Sequence, residues 1–356
     1  MRILAINPGS TSTKIAVFED KKEIFAKTVN HKAEDLMNFK QIADQKDYRK
    51  EVIMEAMRDA GVELDEIDYC VGRGGLVRSL QSGVYRINDQ YLQDASIGLQ
   101  GQHASNLGGI LAHELAKESK NAKDAFTVDP VVVDEYEDIA RLSGISEISR
   151  VISFHPLNQK AVSRRYAKSI GKKYEDLNLI VAHLGGGISV GAHKNGRVID
   201  VNAALGGDGP FSPERAGGVP PLPLIQMCFS GKYTYEEVYS KLFSCGGLYS
   251  YLGVKDLREV LQMIEKGNSK AELVFKAMAY QVAKEIGACA VALSGHVDAI
   301  ILTGGMSHNP TLCELISERV GFITSEIVVY PGEDEMKALA EGVYEAVLNK
   351  REILTY

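Results

Sequence analysis

Three glycine-containing turns carry most of the polar chemistry of this sequence. They are "NPGSTSTK" at 7–14, "HLGGGISV" at 183–190 and "LTGGMSHNP" at 302–310. Each comes at the end of an apolar run that is typical of a buried strand. A turn whose N–H groups point one way binds anions, and glycine lets a phosphate approach the backbone closely. The turns therefore predict phosphate binding, although none matches the P-loop or the G-x-G-x-x-G dinucleotide fingerprint.

Two of these turns occupy corresponding positions in an internal repeat. "ILAINPGSTSTKIAVFEDKKEIF" aligns without a gap to "LIVAHLGGGISVGAHKNGRVID", with Asn7 over His183, 176 positions later. Each copy reads as three strands of an antiparallel meander, and "KNG" is a hairpin signal. An accidental similarity of two hairpins is the alternative. Duplication is favoured because helices and strands alternate after both copies. Helices are predicted over 49–60, 107–119, 235–243, 255–266, 271–294 and about 335–349.

A chain of 356 residues is long enough for two domains. We expect an α/β protein of two duplicated domains that meet at a cleft, where ligand sites prefer to form. The predicted N-terminal domain spans 1–150 and also includes a C-terminal helix at about 336–356. The predicted C-terminal domain spans 151–335.

Bulk composition excludes several classes of protein. A net charge of −7 gives no support to nucleic-acid binding. No apolar run approaches the 18 or so residues of a membrane span, and the first residues read as a strand and not as a secretory signal. The five cysteines show no C-x-x-C spacing, which disfavours a disulfide framework or a zinc site. We expect a cytoplasmic enzyme with neither a membrane nor a nucleic-acid partner.

The three turns resemble the signatures of the acetate kinase family, in the superfamily of sugar kinases, Hsp70 and actin. "INPGSTSTK" is similar to N-x-G-S-x-S-x-K, "AHLGGGISV" to H-L-G-N-G-S, and "DAIILTGGMSHN" to T-A-G-I-G-E-N. The resemblance covers nearly the whole chain and implies two actin-like ATPase (ribonuclease H-like) domains that clamp ATP. The chain departs from the pattern with Gly186 in place of Asn and with Met306-Ser307-His308 in place of I-G-E. These departures resemble the butyrate kinase branch of the family.

The resemblance implies direct in-line transfer of a phosphoryl group from ATP, with Mg²⁺, to a short-chain fatty acid. For butyrate the products are butanoyl phosphate and ADP. A carboxylic acid with a pKa of about 4–5 is already ionised at neutral pH, so the reaction needs no general base. Catalysis then consists of positioning and charge neutralisation. The family resemblance also implies a small-molecule carboxylate substrate and at least a homodimer.

Four residues are expected to be catalytic by their match to the family. Arg73 lies between an apolar strand and two glycines, and its planar fork suits the substrate carboxylate. Arg215 would neutralise the transferring phosphoryl group, and His155 would donate a hydrogen bond to it. Asp129 would position these groups and Mg²⁺-bound water.

The resemblance also implies a set of ligand-binding residues. The turns offer backbone amides and the hydroxyls of residues 10–13 as donors. The phosphate-binding residues would be Asn7, Ser10, Ser12, Lys14, His183, Gly185, Gly186 and Gly187. The nucleoside-binding residues would be Asp256, Leu257, Arg258, Gly304 and Gly305.

The acyl pocket and the metal site are less sharply defined. Arg73, His103 and Phe154 are expected in the substrate pocket, and core packing explains Phe154, Leu76 and Val77 equally well. Asp129 and either Asp334 or Glu335 would serve Mg²⁺, because a shift of one residue matches the family pattern equally well. Acids at 333–335 also suit a helix N-terminus.

Other readings stay open. Within the family, the substrate is butyrate, isobutyrate, propionate or acetate. A sugar or polyol kinase needs a base to deprotonate a hydroxyl; Asp129 could serve, but such kinases carry Asp where this chain has Asn7. A nucleotide-switch protein of the Hsp70 or actin kind needs extra lobes, for which 356 residues leave little room.

Overall fold

A computed structural model describes residues 1–356, which form twelve strands and thirteen α-helices. The strands are β1 (Arg2–Pro8), β2 (Ser12–Glu19), β3 (Lys22–Asn30), β4 (Tyr69–Gly72), β5 (Val84–Arg86), β6 (Asp124–Val128), β7 (Asn178–Leu184), β8 (Ile188–Lys194), β9 (Arg197–Val201), β10 (Ala299–Gly304), β11 (Ile327–Pro331) and β12 (Ile353–Thr355). The helices are α1 (Ala33–Leu36), α2 (Lys46–Asp59), α3 (Asp89–Ile97), α4 (Asn106–Glu118), α5 (Asp138–Arg141), α6 (Pro156–Ser169), α7 (Pro221–Cys228), α8 (Tyr235–Phe243), α9 (Gly247–Leu252), α10 (Leu257–Glu265), α11 (Ser269–Ala292), α12 (Pro310–Val320) and α13 (Glu335–Val347).

The chain forms two compact units. Unit 1 comprises Met1–Asp134 with Asp334–Tyr356, and unit 2 comprises Glu135–Glu333. The first change of unit therefore comes earlier than the expected boundary at 150. A buried ion pair explains the difference, because Lys160 of α6 donates to the Glu135 carboxylate at 2.6 Å. The Val198 N–H also donates to that carboxylate, at 2.8 Å, so residue 135 is anchored to unit 2.

Both units contain a mixed sheet with the same core topology. The seven-stranded sheet of unit 1 runs β12-β5-β6-β4-β1-β2-β3, and the five-stranded sheet of unit 2 runs β11-β10-β7-β8-β9. In each unit an antiparallel meander (β1–β3 or β7–β9) is joined by a strand parallel to its first member (β4 or β10). Shifted by 176 positions, β1 coincides end to end with β7. The repeat seen in the sequence is thus a repeat of structure.

Each unit has its own apolar core. In unit 1, strands β1, β2 and β4 pack against α2 and α4, and in unit 2, β7, β8 and β10 pack against α11 and α12. The strands at the centres of the sheets are buried on both faces, which explains why they read as continuous apolar runs. The alternation of strands and helices is as predicted, and α8 has the predicted bounds 235–243. No helix is both long and apolar enough to cross a membrane.

A backbone contact between two glycines fixes the end of β4 against α4. A Cβ atom on Gly72 would lie 2.0 Å from the Gly108 carbonyl oxygen, and one on Gly108 would lie 2.2 Å from the Arg73 carbonyl oxygen. Any side chain at either position would push the helix away from the strand. The contact therefore sets the position of Arg73, the first residue after β4.

We expect the substitution Gly108→Ala to lower the free energy of unfolding by about 1–3 kcal/mol, the usual cost of overpacking. Gly287→Ala in α11 is the matched control, because nothing lies within 4 Å of the added methyl group. That change should leave stability unchanged or raise it by up to about 1 kcal/mol, since alanine favours the helix. Urea unfolding of both variants measures the difference. Equal stability of the two would contradict the close contact.

Candidate functional site

Asn7, Arg73 and Glu335 meet at one edge of the unit 1 sheet. Asn7 lies near the end of β1, Arg73 follows the neighbouring parallel strand β4, and Glu335 begins α13. The Asn7 side-chain amide donates to Glu335 Oε2 at 2.6 Å, and Arg73 Nη1 donates to the same oxygen at 3.1 Å. The edge at which parallel strands end is where α/β sheets bind ligands. Three residues expected from the sequence thus form one cluster.

The structure distinguishes between the two acids at the start of α13. Asp334 occupies the N-cap position with a positive φ of 46° and no side-chain capping hydrogen bond, and the helix begins at Glu335. It is Glu335 that contacts Asn7 and Arg73.

His103 lies near Arg73 and has a defined tautomer. The Ser105 backbone N–H donates to His103 Nδ1 at 3.2 Å, so this nitrogen is an acceptor and Nε2 carries the proton. Burial, and then the positive charge of Arg73, lowers the pKa of His103. The side chain is therefore a neutral hydrogen-bond donor beside the arginine.

Asp129 follows β6 and is 1% exposed, with a positive φ of 40°. Its Oδ1 accepts hydrogen bonds from the Gly83 N–H at 2.9 Å and from the Ser82 hydroxyl at 2.5 Å. Arg351 Nη2 lies 3.8 Å from Oδ2. These groups fix the carboxyl group at the end of the strand.

Two of the hydrogen-bonding groups of the first glycine turn already have partners within the protein. The Gly9 N–H donates to the Ser12 carbonyl at 2.7 Å, and the buried Thr13 hydroxyl contacts His31 at 2.8 Å. Both groups were expected as phosphate donors, and neither is available. Ser10, Thr11 and Lys14 are exposed, and the Ser10 and Thr11 amides make no hydrogen bond within the chain.

In unit 2 the second glycine turn packs against Arg215. A Cβ atom on Gly187 would lie 2.0 Å from Arg215 Nη1, so only glycine leaves room for the guanidinium. Arg215 Nη1 donates to the Ala204 carbonyl at 2.9 Å, and the Ser212 hydroxyl donates to the Gly186 carbonyl at 2.6 Å. These contacts fix the position of Arg215 relative to the second glycine turn.

Two histidines stack beside this turn. The rings of His155 and His183 lie 3.8 Å apart and 8° from parallel. His155 Nδ1 is 2.8 Å from the Ser189 hydroxyl, and His183 Nδ1 is 2.7 Å from the Asn158 side-chain oxygen. His183 Nε2 lies 3.7 Å from a Glu333 carboxylate oxygen.

A cavity of about 630 Å³ in unit 2 joins the second and third glycine turns to the start of α10. Its volume lies in the range of about 300–1,000 Å³ that is usual for small-molecule sites. Of the residues expected to bind the nucleotide, Gly185, Gly186, Asp256, Leu257, Arg258 and Gly305 line it. Gly304 does not line the cavity. Its φ of +89° and the 2.4 Å between an added Cβ and the Leu184 carbonyl oxygen show that the backbone at this position requires glycine.

Sequence comparison relates the chain to kinases of carboxylic acids. The acetokinase family profile matches residues 145–327. Butyrate kinase 1 of Clostridium acetobutylicum is 55% identical over 341 residues, which cover 96% of this chain and 95% of that protein. The chain belongs to the acetokinase family. The family membership expected from the turn signatures is confirmed.

Comparison of structures agrees with membership of the acetokinase family. Porphyromonas gingivalis acetate kinase superposes with a TM-score of 0.79 at 19% identity, covering 96% of this chain and 98% of that one. A propionate kinase from Francisella tularensis gives 0.75 at 20% identity with the same coverages. These likenesses confirm the expected fold, an α/β protein of the actin-like ATPase type.

Some residues that line the unit 2 cavity were not among the ligand-binding residues expected from the sequence. Lys255 and Glu214 line the cavity and form an ion pair of 3.1 Å, and Pro213, Leu261, Met306, His308, Asn309 and Glu333 complete its lining. Lys255 directly precedes the Asp-Leu-Arg segment, and His308 belongs to the third turn. Position next to a recognised motif was therefore the signal that could have identified both. Phe154 and Val77 are buried, and Val77 with Leu76 packs in the unit 1 core.

Arg49 is a further missed residue, and it supports the first turn from inside. Its guanidinium is fully buried and donates to the carbonyls of Gly9 at 2.8 Å, Ser12 at 3.1 Å and Ser10 at 3.2 Å. Its remaining acceptors are the Thr13 hydroxyl at 3.1 Å and the Gln45 side-chain oxygen at 2.9 and 3.0 Å. None of these acceptors is a carboxylate. A full positive charge thus lies directly behind the turn.

The same charge affects His31. Burial, and then the charge of Arg49, lowers the pKa of His31 to about 4, with Asp35 opposing the shift. His31 is therefore neutral at pH 7 and adds no second positive charge behind the turn.

The carboxylates of unit 1 fit a magnesium ion by their chemistry. Mg²⁺ takes one or two carboxylates and completes its octahedron with phosphate oxygens and water. Glu335 and Asp129 each retain acceptor capacity, because a carboxylate offers about four lone-pair sites. No group of three or more His, Cys, Asp or Glu side chains is arranged to hold a metal by itself. A metal here would therefore take further ligands from phosphate oxygens or water.

We expect Arg49→Met to lower the free energy of unfolding by about 2 kcal/mol or more, because it leaves buried carbonyl oxygens without donors. Amides of residues 9–13 should then exchange with deuterium faster. Arg58→Met, at an exposed position of the same helix, is the control and should change neither measurement. Hydrogen exchange with mass spectrometry, together with urea unfolding, tests this. Unchanged exchange in the turn of Arg49→Met would remove the supporting role.

Proposed function

We propose that this chain transfers the γ-phosphoryl group of ATP to the carboxylate of butyrate, giving butanoyl phosphate and ADP. The observation that carries the proposal is the 55% identity, over 96% of the chain, to a butyrate kinase. The arrangement of charged groups in both units supports it.

In unit 1, Arg73 would bind the carboxylate of the acid. Its guanidinium reaches both Asn7 and Glu335, which orient it and leave further N–H donors for a bidentate contact. His103 would add a neutral N–H donor. Because the acceptor arrives ionised, the reaction requires donors and cations here and no base.

In unit 2, the cavity would hold the nucleoside of ATP between the start of α10 and the third turn. Gly185, Gly186 and Gly187 would let the phosphates approach the backbone. Arg215 would neutralise the charge on the transferring phosphoryl group, and His155 would donate a hydrogen bond to it. His183 would support the His155 ring by stacking on it.

The first turn would contribute further donors through Ser10, Ser12 and Lys14. Bound Mg²⁺ would neutralise the phosphate oxygens, with Glu335 and Asp129 as the residues of this chain that hold it or its water. The charge of Arg49 behind the turn would favour an anion in front of it.

Asn7 speaks against the alternative of a sugar or polyol kinase. Its amide donates to Glu335 at 2.6 Å, a contact that an aspartate could make only as a second carboxylate against the first. The carboxyl group of Asp129, the one candidate base, is held by the Gly83 N–H and the Ser82 hydroxyl.

Acyl specificity is tested with a series of acids from two to six carbons, including isobutyrate. With ATP, Mg²⁺ and hydroxylamine, we expect acyl hydroxamate, with the highest kcat/KM for butyrate. One methylene in an apolar pocket contributes about 1–3 kcal/mol, so the neighbouring acids should react about 10- to 200-fold more slowly. A maximum at acetate, propionate or isobutyrate would reassign the substrate. Phosphorylation of sugars alone would refute the carboxylate kinase.

Two arginine variants separate the proposed roles. Arg73→Ala should raise KM for the acid strongly and leave KM for ATP nearly unchanged, because Arg73 contacts the acid in the ground state. Arg215→Ala should instead lower kcat by about 10³-fold or more, because its charge acts on the transferring group. Steady-state kinetics with each substrate varied in turn measures both. The same kinetic change in both variants would contradict this division.

The expected homodimer and cytoplasmic location stay predictions. Unit 2 exposes large apolar side chains, including Leu222 at 66% and Phe229 at 86%, a pattern usual for association surfaces. Sedimentation velocity measures the oligomeric state, and a monomer at micromolar concentration would refute the dimer.

A further inference from the structure

The Nδ1 atom of His155 is the end of a chain of buried hydrogen bonds in unit 2. The chain runs from Tyr174 through His193, Gln159 and Ser189. The last three of these side chains are 0% exposed, so each of their donors and acceptors must be satisfied within the protein. The direction of every bond in the chain follows from this requirement.

The direction is fixed first at Gln159. Its Nε2 lies 3.1 Å from the Ser189 backbone carbonyl oxygen, which can only accept a hydrogen bond. The atom is therefore the amide nitrogen, and it also donates to the Ser189 hydroxyl oxygen at 2.9 Å. The Gln159 carbonyl oxygen must then face His193.

His193 has one possible neutral tautomer. Its Nε2 lies 2.9 Å from the Gln159 Oε1 atom, so this nitrogen carries a proton. Burial, and then the charge of Lys160, lowers the pKa of His193, and the ring is neutral. Nδ1 is thus an acceptor, and it receives the Tyr174 hydroxyl at 2.6 Å.

The Ser189 hydroxyl links the chain of hydrogen bonds to His155 and determines which ring nitrogen of His155 is the acceptor. Its oxygen accepts from Gln159, and the one remaining acceptor for its hydrogen is His155 Nδ1, at 2.8 Å. A proton on Nδ1 would leave the buried hydroxyl hydrogen without an acceptor, which costs about 1–3 kcal/mol. The proton of the neutral His155 ring is therefore on Nε2.

His183, stacked on His155, has the opposite assignment. Asn158 Nδ2 donates to the Glu333 backbone carbonyl at 2.9 Å, so Asn158 Oδ1 faces His183 and accepts its Nδ1 proton at 2.7 Å. Asn158 and Gln159 are consecutive in the first turn of α6. One short stretch, "HPLNQ", thus sets opposite tautomers in two stacked rings.

We propose that Ser189, Gln159 and His193 are positioning residues that hold His155 as its Nε2–H tautomer, so that it donates to the transferring phosphoryl group. The part of this inference that concerns catalysis rests on the proposed function. The tautomer itself does not.

The first experiment reads the tautomers directly. Two-bond ¹H–¹⁵N spectra of protein labelled at histidine, at about pH 8 where an ordinary imidazole is neutral, distinguish protonated from unprotonated nitrogens. His155→Gln and His183→Gln spectra assign the two rings. We expect an Nε2–H form for His155 and an Nδ1–H form for His183. An Nδ1–H form of His155 in the native protein overturns the proposal.

The second experiment uses a matched pair of buried serines. Ser189→Ala removes the hydroxyl that directs His155. Ser163→Ala removes another fully buried hydroxyl, whose hydrogen goes to the Gln159 backbone carbonyl at 2.8 Å; its oxygen lies 3.4 Å from His193 Nδ1 and contacts neither Ser189 nor His155. We expect Ser189→Ala to give a mixture of His155 tautomers and to lower kcat about tenfold with KM for ATP unchanged. The loss should be smaller than the 10²–10³-fold or so that follows removal of a transition-state donor itself, since the donor form persists in part.

Ser163→Ala should keep the native tautomer and stay within about twofold of native kcat. If Ser189→Ala matched it in both spectrum and kcat, the positioning role would be refuted. Native spectra as expected in a protein that phosphorylates no acid would refute the proposed function and leave the tautomer assignment standing.

Discussion

The first glycine turn depends on the buried guanidinium of Arg49. A turn exposes its N–H groups only if its carbonyl groups point inwards, and buried carbonyls need donors. Arg49 supplies donors to three of them at once, because its planar fork carries five N–H groups. A carboxylate partner would have neutralised this charge. With only neutral oxygens as acceptors, the positive charge is retained behind a surface proposed to bind an anion.

The duplicated turn in unit 2 has the same strands and a different support. β7 and β8 repeat β1 and β2 in order and pairing, yet no arginine lies beneath the second turn in the manner of Arg49. Here Ser212 binds the Gly186 carbonyl, and Arg215 packs against Gly187 from the side. The repeat therefore preserves the strand order and the antiparallel pairing, but the second turn is one residue shorter, because Asn7 pairs with Lys14 whereas His183 pairs with Ser189. The side chains around the two turns have diverged.

Elements were predictable where the signal is local. Buried strands read as apolar runs, and Asn195-Gly196 joins β8 to β9 with positive φ at both residues, as the "KNG" pattern indicated. Arg73 and Asn7 were expected from their match to the family motifs, and both adjoin strand ends. The sequence did not show which of Asp334 and Glu335 contacts Asn7 and Arg73, because that depends on the residue at which α13 begins. The change of unit at 134–135 depends on a salt bridge between Glu135 and Lys160, far apart in the chain.

The least predictable residues are the buried polar ones. Arg49, Gln159 and His193 look in the sequence like ordinary polar residues of a helix or strand. Each has a partner 30 to 40 positions away, and only the folded chain shows that they are buried. Composition and periodicity report burial of apolar groups and carry no information about polar groups satisfied inside.

These buried polar residues, which the sequence does not reveal, are also the ones that decide which groups of the proposed site donate hydrogen bonds and which accept them. Two anions, a carboxylate and a phosphoryl group, must be brought together, so every lone pair aimed at them is repulsive and every N–H is attractive. A neutral histidine in water can present either a lone pair or an N–H group at a given ring nitrogen. Which one it presents in a protein is decided by the group bonded to its other nitrogen. For His155 and His183 those groups are Ser189 and Asn158. Asn158 is oriented by the Glu333 backbone carbonyl, and the Ser189 hydroxyl is oriented by Gln159, which itself donates to a backbone carbonyl, an acceptor whose direction cannot be reversed. The backbone fold therefore determines which ring nitrogens of His155 and His183 carry a proton.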